Sequence, residues 1–380
     1  ETAAPAPPTT RATPPQARQA AAGIVPVLFG TTRRRSGNND PNLYFTDQEA
    51  EKNSELTLGR VQISVPLARM RGTISEPNLL HVIIEKATSS TPAIFAGIQR
   101  IPAADPARHF AIAYPIEEYT EQTFQQTLAG AVAHSQRKEA LVYVHGFANS
   151  FRDAAFRTAQ LSRDLSDTSY DLVPVMFSWP SDPGLLDYRA ASGRVWAASQ
   201  ALAAFLDQLA STVGYRRVHI VAHSKGAEVL GLALHEMKSD LLVRVGTAAP
   251  VSKFNQIILA APDIRAEDFD ALVLPAVRSH HQVTTYVASN DGALRLSDAI
   301  NTKARAGDIG RGLSLGGGAE VIDVSKVNSR RGGHSSFAES ERVLDDIRYQ
   351  LQGKAISQRG LQQVKRKTRG YWILEGGATP

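Results

Sequence analysis

The stretch Val218-His219-Ile220-Val221-Ala222-His223-Ser224-Lys225-Gly226-Ala227 decides the fold assignment of this chain. A short β-branched run leads directly into a helical pattern, with Ser224 at the turn between them. A side chain held at positive φ on such a tight turn leaves no room for bulk two positions away on either side. Ala222 and Gly226 occupy those two positions. Ser224 is therefore predicted to be a nucleophile presented at a sheet edge; the alternative is a buried serine that only closes a strand-to-helix turn.

Outward from this stretch, short apolar runs alternate with helical patterns from about residue 140 onward. The predicted buried strands are Leu141–Val144, Val173–Phe177, Val218–Val221, Ile257–Ala260, Val283–Val287 and Val321–Val324. Apolar residues recur at helical spacing from Ala198 to Leu209 and from Leu230 to Met237. This alternation predicts an α/β fold, a doubly wound and mostly parallel sheet with helices on both faces.

The part of the chain before this pattern is rich in short strands and forms a predicted N-terminal β-rich extension packed on the sheet. Its predicted strands are Val25–Phe29, Leu58–Val65, Leu80–Ile84 and Phe110–Tyr114. We therefore predict four segments along the chain. They are a disordered Pro/Ala/Thr-rich tether at 1–22, the extension at 23–135, the α/β core at 136–355 and a basic tail at 356–380.

A serine nucleophile needs a base, and the base needs an acid that orients it. His334 follows the last predicted strand in a glycine-rich loop and is the best-placed histidine. Ser336 and Glu339 form a capping-box pattern that predicts a helix directly after it. Asp291 and Asp263 follow two neighbouring predicted strands. We favour Asp291, which ends the penultimate strand, and Asp263 stays open as the alternative acid.

The chain resembles the α/β-hydrolase superfamily, and within it a bacterial branch of unknown function. The resemblance covers roughly residues 25 to 352 and is specific through the combination of several motifs. The motifs are Val27-Leu28-Phe29-Gly30-Thr31-Thr32-Arg33, Gly59-Arg60-Val61-Gln62-Ile63-Ser64-Val65-Pro66, Val144-His145-Gly146-Phe147, Phe177-Ser178-Trp179-Pro180-Ser181, Ala222-His223-Ser224-Lys225-Gly226, Leu259-Ala260-Ala261-Pro262-Asp263 and Ser289-Asn290-Asp291-Gly292-Ala293-Leu294. The resemblance implies the doubly wound sheet and a triad of Ser224, Asp291 and His334.

The same resemblance implies an oxyanion hole after the strand Leu141–Val144. An α/β-hydrolase places a backbone N–H donor in this loop, here that of Phe147 or Ala148, together with the N–H of the residue after the nucleophile, here Lys225. Gly146 would let the backbone approach the substrate closely. His145 is expected to buttress the loop rather than to react.

The expected activity is that of a serine esterase or lipase-like hydrolase acting on a small or lipid-like carboxylic ester, without a cofactor. Two alternatives stay open: a non-catalytic binding scaffold of the cell envelope, and an amidase or peptidase that uses the same triad. Two residues depart from the family pattern, because Lys225 and Glu228 stand where a methionine and a neutral or basic residue are expected.

Composition excludes several other classes of protein. The 380 residues are 43% hydrophobic and 21% charged, which excludes disorder throughout the chain. The absence of cysteine excludes disulfides, thiolate metal sites and a cysteine nucleophile. No uninterrupted apolar run reaches the length of about 18 residues that a membrane span needs. The glycine-rich run 307–318 lacks the Gly-Lys-Ser/Thr ending of a phosphate-binding loop.

The basic residues do not point to a nucleic-acid partner. The net charge is only +5, and the basic cluster between Lys365 and Arg369 is typical of a solvated face or tail. The run Arg33-Arg34-Arg35 has no apolar stretch of signal-peptide type behind it and is not a twin-arginine export signal. A Pro/Ala/Thr-rich start at Glu1 is typical of exported bacterial proteins after signal removal, so we expect export; a cloning truncation explains Glu1 equally well, and a cytoplasmic location stays open.

Overall fold

The computed structural model describes residues 22–50, 55–75, 105, 107–181, 191–212, 214–245, 254–277, 282–289, 291, 304–309, 319–327, 335–365 and 370–376. Side chains are described for the same residues except 22, 191–192 and 238–245. The predicted strand Leu80–Ile84 lies outside the described residues, and so does the predicted tether apart from Ala22.

The described residues contain strands and helices in the alternation that the sequence predicts. The strands are β1 Ala22–Thr31, β2 Arg33–Arg35, β3 Phe45–Glu49, β4 Thr57–Pro66, β5 Ala111–Ile112, β6 Glu117–Tyr119, β7 Glu139–Val144, β8 Val173–Ser178, β9 Arg217–His223, β10 Phe254–Ala260, β11 Gln282–Val287, β12 Glu320–Asp323, β13 Gln362–Val364 and β14 Tyr371–Ile373. The helices are α1 Glu121–His134, α2 Phe151–Leu165, α3 Ala191–Ser211, α4 Gly226–Val245, α5 Ala266–Asp268, α6 Leu274–Val277, α7 Ser336–Glu339 and α8 Glu341–Leu351. A π-helical turn, Phe269–Val273, joins α5 to α6, and a 3₁₀ turn, Ile356–Gln358, follows α8.

Twelve of these strands form one sheet in the order β13-β14-β12-β11-β10-β9-β7-β8-β1-β4-β5, with β6 also paired to β4. From β14 to β1 every neighbouring pair is parallel, and β4 is the antiparallel neighbour of β1. The buried parallel strands read as near-continuous apolar runs because both of their faces are covered. The prediction of a doubly wound, mostly parallel sheet is confirmed.

Helices cover both faces of this sheet. On one face, α1, α3 and α4 pack against alternate residues of the central strands, Val142 and Ile220 among them. On the opposite face, α2 and α8 pack against Leu141, Tyr143 and Val27. Successive side chains of one strand therefore enter two different cores, which is the period of two expected for a sheet covered on both sides. None of the helices in the described part of the chain combines the length and apolar character needed to cross a bilayer.

The order of the central strands creates a crevice at one edge of the sheet. β7 lies between β8 on one side and β9 on the other, so the chain changes its winding direction between β7 and β9. In open α/β sheets, ligands bind beyond the carboxyl ends of the strands at such a switch point. The residues that follow Val144 and His223 therefore occupy the expected position for a functional site.

The N-terminal strands belong to the sheet itself and are not merely packed on it. β1 pairs with β8 in parallel and with β4 along ten residues of antiparallel register. The predicted strand Phe110–Tyr114 is shorter than expected and comprises only Ala111–Ile112. β2 and β3 form a separate two-stranded ribbon after β1.

The segment expected to be a basic tail is folded over much of its length. Tyr371–Ile373 (β14) pairs in parallel with β12. Gln362–Val364 (β13) pairs with β14 in turn and forms the edge of the sheet. Leu374 is buried in the core beside α8. The sequence predicted a tail because lysines and arginines dominate the composition between Lys365 and Arg369. The aromatic and β-branched residues of Tyr371–Ile373 nevertheless favour a strand. The segment boundaries proposed from the sequence otherwise stay a prediction.

The capping-box prediction at Ser336 and Glu339 is wrong. Ser336 is already the first residue of α7, and the N-cap residue Ser335 makes no side-chain cap. Ser340 is extended and interrupts the helical pattern before α8 begins at Glu341. The apolar residues after this break still lie on one buried face, which packs against the sheet.

Candidate active site

Ser224 occupies a strained turn between β9 and α4. Its φ of 52° lies in the left-handed region, which costs a non-glycine residue roughly 1–2 kcal/mol. The Ser224 N–H donates to the carbonyl oxygen of Ala260 at 2.9 Å, which holds the turn against the end of β10. Of the three other described non-glycine residues with positive φ, two, Ala148 and Ala261, follow the strands β7 and β10 on either side of β9. Such strain persists where the surrounding structure enforces it, and it is typical of active sites.

Two glycines allow this turn to meet the loop after β7. A Cβ atom at Gly226 would lie 2.5 Å from the carbonyl oxygen of His145 and 2.6 Å from that of Val144. A Cβ atom at Gly146 would lie 2.7 Å from the Cβ of Ser224 and 2.9 Å from the carbonyl oxygen of His223. The two loops are therefore in direct backbone contact, and each requires a residue without a side chain at its point of contact.

The peptide groups of the loop after β7 are held by their carbonyl oxygens. The Asn149 side-chain amide donates to the carbonyls of Phe147 at 2.8 Å and Gly146 at 3.3 Å. The two ends of a planar trans peptide group point in opposite directions, so a carbonyl held on one side directs the next N–H to the other side. The N–H groups of Phe147 and Ala148 are thus fixed in direction before any substrate binds. We call residues 145–149 the oxyanion loop.

His145 is completely buried at the start of the oxyanion loop. Its Nδ1 lies 2.8 Å from the carbonyl oxygen of Gly146, and the Trp179 backbone N–H donates to its Nε2 at 3.0 Å. The Trp179 indole donates to the His145 carbonyl at 2.9 Å, and the two rings stack with centroids 5.7 Å apart. Burial, together with the nearby Arg33 guanidinium, lowers the pKa of His145 to about 3. These contacts are those of a neutral supporting residue.

Lys225 and Glu228, the two departures from the family pattern, are partners. The Lys225 ammonium lies 2.6 Å from a Glu228 carboxylate oxygen, three positions along the start of α4. It also donates to the carbonyl oxygen of Asp263 at 3.5 Å. The Lys225 side chain is only 7% exposed. The two charges compensate each other as an i,i+3 pair at the start of α4.

The alternative acid, Asp263, faces a buried arginine. The Asp263 carboxylate lies 3.4 Å from Nε of Arg305, whose side chain is 2% exposed. Backbone hydrogen bonds join the segment of Arg305 to the loop after β10, from Ala306 N to the Ile264 carbonyl and from Gly307 N to the Pro262 carbonyl. The Asp263 carboxylate therefore helps to hold this segment against the end of β10.

The other two predicted members of the triad differ in what the structure describes. Asp291 lies beyond the carboxyl end of β11 and is completely buried. Two serines support the same loop, because the N–H and hydroxyl of Ser289 bond the Ser325 hydroxyl at 2.7 and 3.0 Å. His334 lies outside the described residues. Phe337, three positions later, stacks on His223 with ring centroids 4.7 Å apart.

Sequence reasoning missed three residues that support the site. Arg33 and Trp179 contact the oxyanion loop, Asn149 closes it from within, and none was assigned a role there. The signals for Arg33 were its position four residues after the end of the predicted strand Val25–Phe29 and its place at the end of the motif Val27-Leu28-Phe29-Gly30-Thr31-Thr32-Arg33. Among the described residues, no group of three or more His, Cys, Asp or Glu side chains is arranged to bind a metal ion.

A strained serine turn at the switch point of a doubly wound sheet, opposite a loop of fixed peptide groups, defines the α/β-hydrolase class. The chain belongs to the family described as alpha/beta hydrolase of unknown function (DUF900), whose model matches residues 120–354, more than half of the chain.

Similarity to solved structures is low. The product of the gene lin2722 of Listeria innocua shares 12% identity with a TM-score of 0.32, over 63% of this chain and 98% of that chain. Esterase B from Lactobacillus rhamnosis, inhibited by a C4-C4 SN3 tributyrin phosphonate, shares 12% identity with a TM-score of 0.32, over 88% of this chain and 91% of that chain. No curated protein matches the sequence. The class therefore rests on the family match and the topology.

Proposed function

We propose that this protein is a serine hydrolase that cleaves carboxylic esters through an acyl-enzyme intermediate. The observation that carries the proposal is the strained conformation of Ser224 in contact with the oxyanion loop. A turn of this kind directs a serine hydroxyl to the crevice beyond the sheet edge. The fixed N–H of Phe147, together with that of Lys225, would hold the negative charge that develops on the carbonyl oxygen.

The proposed reaction has two steps that share one base. The Ser224 hydroxyl attacks the ester carbonyl while His334 accepts its proton, and His334 then donates that proton to the departing alkoxide. Water next loses a proton to His334 and attacks the acyl-enzyme carbonyl. The bond to the Ser224 oxygen then breaks, His334 returns the proton to that oxygen, and the carboxylic acid leaves. Asp291 holds the imidazole in the required tautomer and stabilises its cation.

Two contacts support the proposed triad. Phe337 stacks on His223, the residue that precedes Ser224. Three residues of extended chain span at most about 11 Å, so the path from Phe337 to His334 starts close to the nucleophile. Asp263 faces the Arg305 guanidinium, which competes with an imidazole for that carboxylate. Both contacts favour His334 as base and Asp291 as acid.

The substrate is proposed to be an ester because it has a better leaving group than an amide. Cleavage of an amide demands protonation of a poorer leaving group at the moment the bond breaks. Turnover of p-nitrophenyl esters and anilides with the same acyl group separates the two activities. A series of esters with increasing acyl length distinguishes a small-molecule esterase from an enzyme of lipid-like substrates.

The decisive test is labelling by a fluorophosphonate probe, which reacts with activated serines. We expect the parent protein to be labelled, the Ser224→Ala variant not to be labelled, and the surface control Ser211→Ala to be labelled as the parent is. Folded parent protein that is neither labelled nor active on esters would overturn the proposal and favour a binding scaffold. Labelling that survives in Ser224→Ala would assign the nucleophile to another residue.

A further inference from the structure

Arg33 is a buried cation beside the oxyanion loop that the proposed reaction does not use. It belongs to a run of three arginines, yet its side chain is fully buried, whereas that of Arg35 is 55% exposed and pairs with Glu118. Removing a guanidinium from water is costly unless it is paired and hydrogen-bonded. The position of Arg33 therefore demands partners, and these partners lie at the site.

The Arg33 guanidinium connects three parts of the molecule. Its Nε donates to the Ser178 hydroxyl at 2.8 Å at the end of β8. Its Nη1 pairs with the Asp47 carboxylate on β3, which supplies the counter-charge. Its Nη2 donates to the Asn149 carbonyl and lies 3.5 Å from Nε2 of His145. The two ends of the oxyanion loop thus meet at one guanidinium nitrogen.

These contacts determine which nitrogen of His145 carries the proton. Arginine has donors and no acceptor, and a backbone N–H likewise only donates. Nε2 of His145 faces Nη2 of Arg33 at 3.5 Å, the N–H of Trp179 at 3.0 Å and the Ser178 hydroxyl at 3.3 Å. The Ser178 oxygen already accepts from Nε of Arg33, so its own hydrogen is available for Nε2, and Nε2 is the unprotonated nitrogen. The proton of the neutral ring then lies on Nδ1 and is donated to the Gly146 carbonyl at 2.8 Å. The low pKa of His145 agrees with a ring that stays neutral beside a cation.

We propose that Arg33 is a positioning residue for the oxyanion loop. Together with the Trp179 N–H it favours the Nδ1–H form of His145, which holds the Gly146 carbonyl and thereby directs the Phe147 N–H into the site. It also holds the Asn149 carbonyl at the other end of the loop. The effect on catalysis rests on the proposed function, whereas the effect on the His145 tautomer does not.

The first experiment measures the tautomer of His145 by ¹⁵N NMR of the imidazole nitrogens, with signals assigned by their loss in His145→Gln. We expect the parent to show protonated Nδ1 and unprotonated Nε2 at neutral pH. In Arg33→Lys, one ammonium replaces a planar fork that reaches several acceptors. We expect the ¹⁵N shifts of His145 to change in this variant. A protonated Nε2 in the parent, or shifts unchanged in Arg33→Lys, would overturn the proposal.

The second experiment measures the rate of fluorophosphonate labelling in Arg33→Met, Arg33→Lys and Asp47→Asn. Misplaced oxyanion donors reduce rates by about 100-fold, so we expect a loss of about 10- to 100-fold in Arg33→Met and a smaller loss in the other two. Arg35→Met, two positions away on the same ribbon, is the matched control and should label at the parent rate. Circular dichroism confirms that each variant is folded.

The outcomes separate this inference from the proposed function. Parent-like labelling in folded Arg33→Met, or an equal loss in Arg35→Met, would contradict a positioning role. If Arg33→Met does not fold, Arg33→Lys and the tautomer measurement decide the question. If the parent itself is not labelled, the proposed function fails, and the ¹⁵N shifts of His145 still support or overturn the role of Arg33.

Discussion

Gly226 and His145 are in backbone contact across the candidate site, since a Cβ atom at Gly226 would lie 2.5 Å from the His145 carbonyl oxygen. The start of α4 and the end of β7 therefore leave no room for a side chain between them at this point. Because Gly146 makes the reciprocal contact with Ser224, the close approach of the nucleophile to the oxyanion loop requires glycine at both positions.

The first prediction concerns these glycines. Gly146→Ala places a methyl group 2.7 Å from the Cβ of Ser224, so the loop must shift and its N–H donors must move. Because a displacement of about 1 Å costs roughly 100-fold in rate, we expect a loss of about 10- to 100-fold in fluorophosphonate labelling. Gly226→Ala meets two backbone oxygens and should in addition lower the free energy of unfolding.

The matched control for both variants is Gly130→Ala. Gly130 lies within α1, and nothing stands within 4 Å of its added Cβ. Alanine in a helix interior stabilises the folded protein by roughly 0.5–1 kcal/mol relative to glycine. This variant should therefore be slightly more stable than the parent and should react with the fluorophosphonate probe at the parent rate. Parent-like labelling of Gly146→Ala would show that the contact does not constrain the site.

The second prediction separates the two candidate acids. Asp291→Asn keeps the shape of a completely buried side chain but removes its charge, so ester turnover should fall by about 10³- to 10⁴-fold. Asp263→Asn weakens the compensation of buried Arg305 and should mainly lower stability, by about 1–3 kcal/mol. Steady-state ester kinetics and urea unfolding of both variants provide the measurement. The reverse pattern would assign the acid to Asp263.

The third prediction is a dependence of stability on pH. Burial and the Arg33 guanidinium lower the pKa of His145 to about 3 in the folded protein, whereas an unfolded histidine titrates near about 6.5. Between these values the unfolded chain binds a proton that the folded chain does not. The stabilisation is therefore complete above about pH 6.5 and is lost as the pH falls toward 3. Burial also lowers the pKa of His219, so its effect on the pH dependence of stability has the same sign.

Urea unfolding at a series of pH values checks this prediction. His145 should contribute a slope of up to about 1.4 kcal/mol per pH unit between pH 6 and 4. The variant His145→Gln lacks the titrating ring and should show a shallower slope, whatever its overall stability. An equally steep slope in that variant would mean that other groups cause the loss of stability in acid.

The fourth prediction concerns the folded C-terminal segment. Arg359 makes two hydrogen bonds to Asp346, at 2.8 and 2.7 Å, and both side chains are almost completely buried. Arg359→Met leaves this carboxylate without its cation and should lower the free energy of unfolding by about 3–5 kcal/mol. Lys326→Met removes an ion pair with Glu375 in which both partners are exposed. This control should keep the parent's midpoint in urea, and an equal effect of both variants would refute a structural role for the buried pair.

The helices and strands of the core, and the Ser224 turn, could be predicted because they depend on nearby residues. The apolar runs of β7 to β12 and the small residues around Ser224 carry their own local signal. The Lys225–Glu228 pair could also have been predicted, since its members are three positions apart on a helix. The break at Ser340 was not, because the same apolar period continues on both sides of it.

The sequence by itself determined the class of fold, the serine turn and the loop opposite it. Only the tertiary structure decided that Arg33 is buried at that loop, where Asp47 supplies the counter-charge from 14 positions away and the partners on the loop and at the end of β8 come from 112 to 145 positions away. It also decided that Tyr371–Ile373 extends the sheet. The physical reason is the range of the interactions: periodicity and turn sterics act between neighbours, whereas a buried charge is stable only where distant segments bring it the partners that replace water.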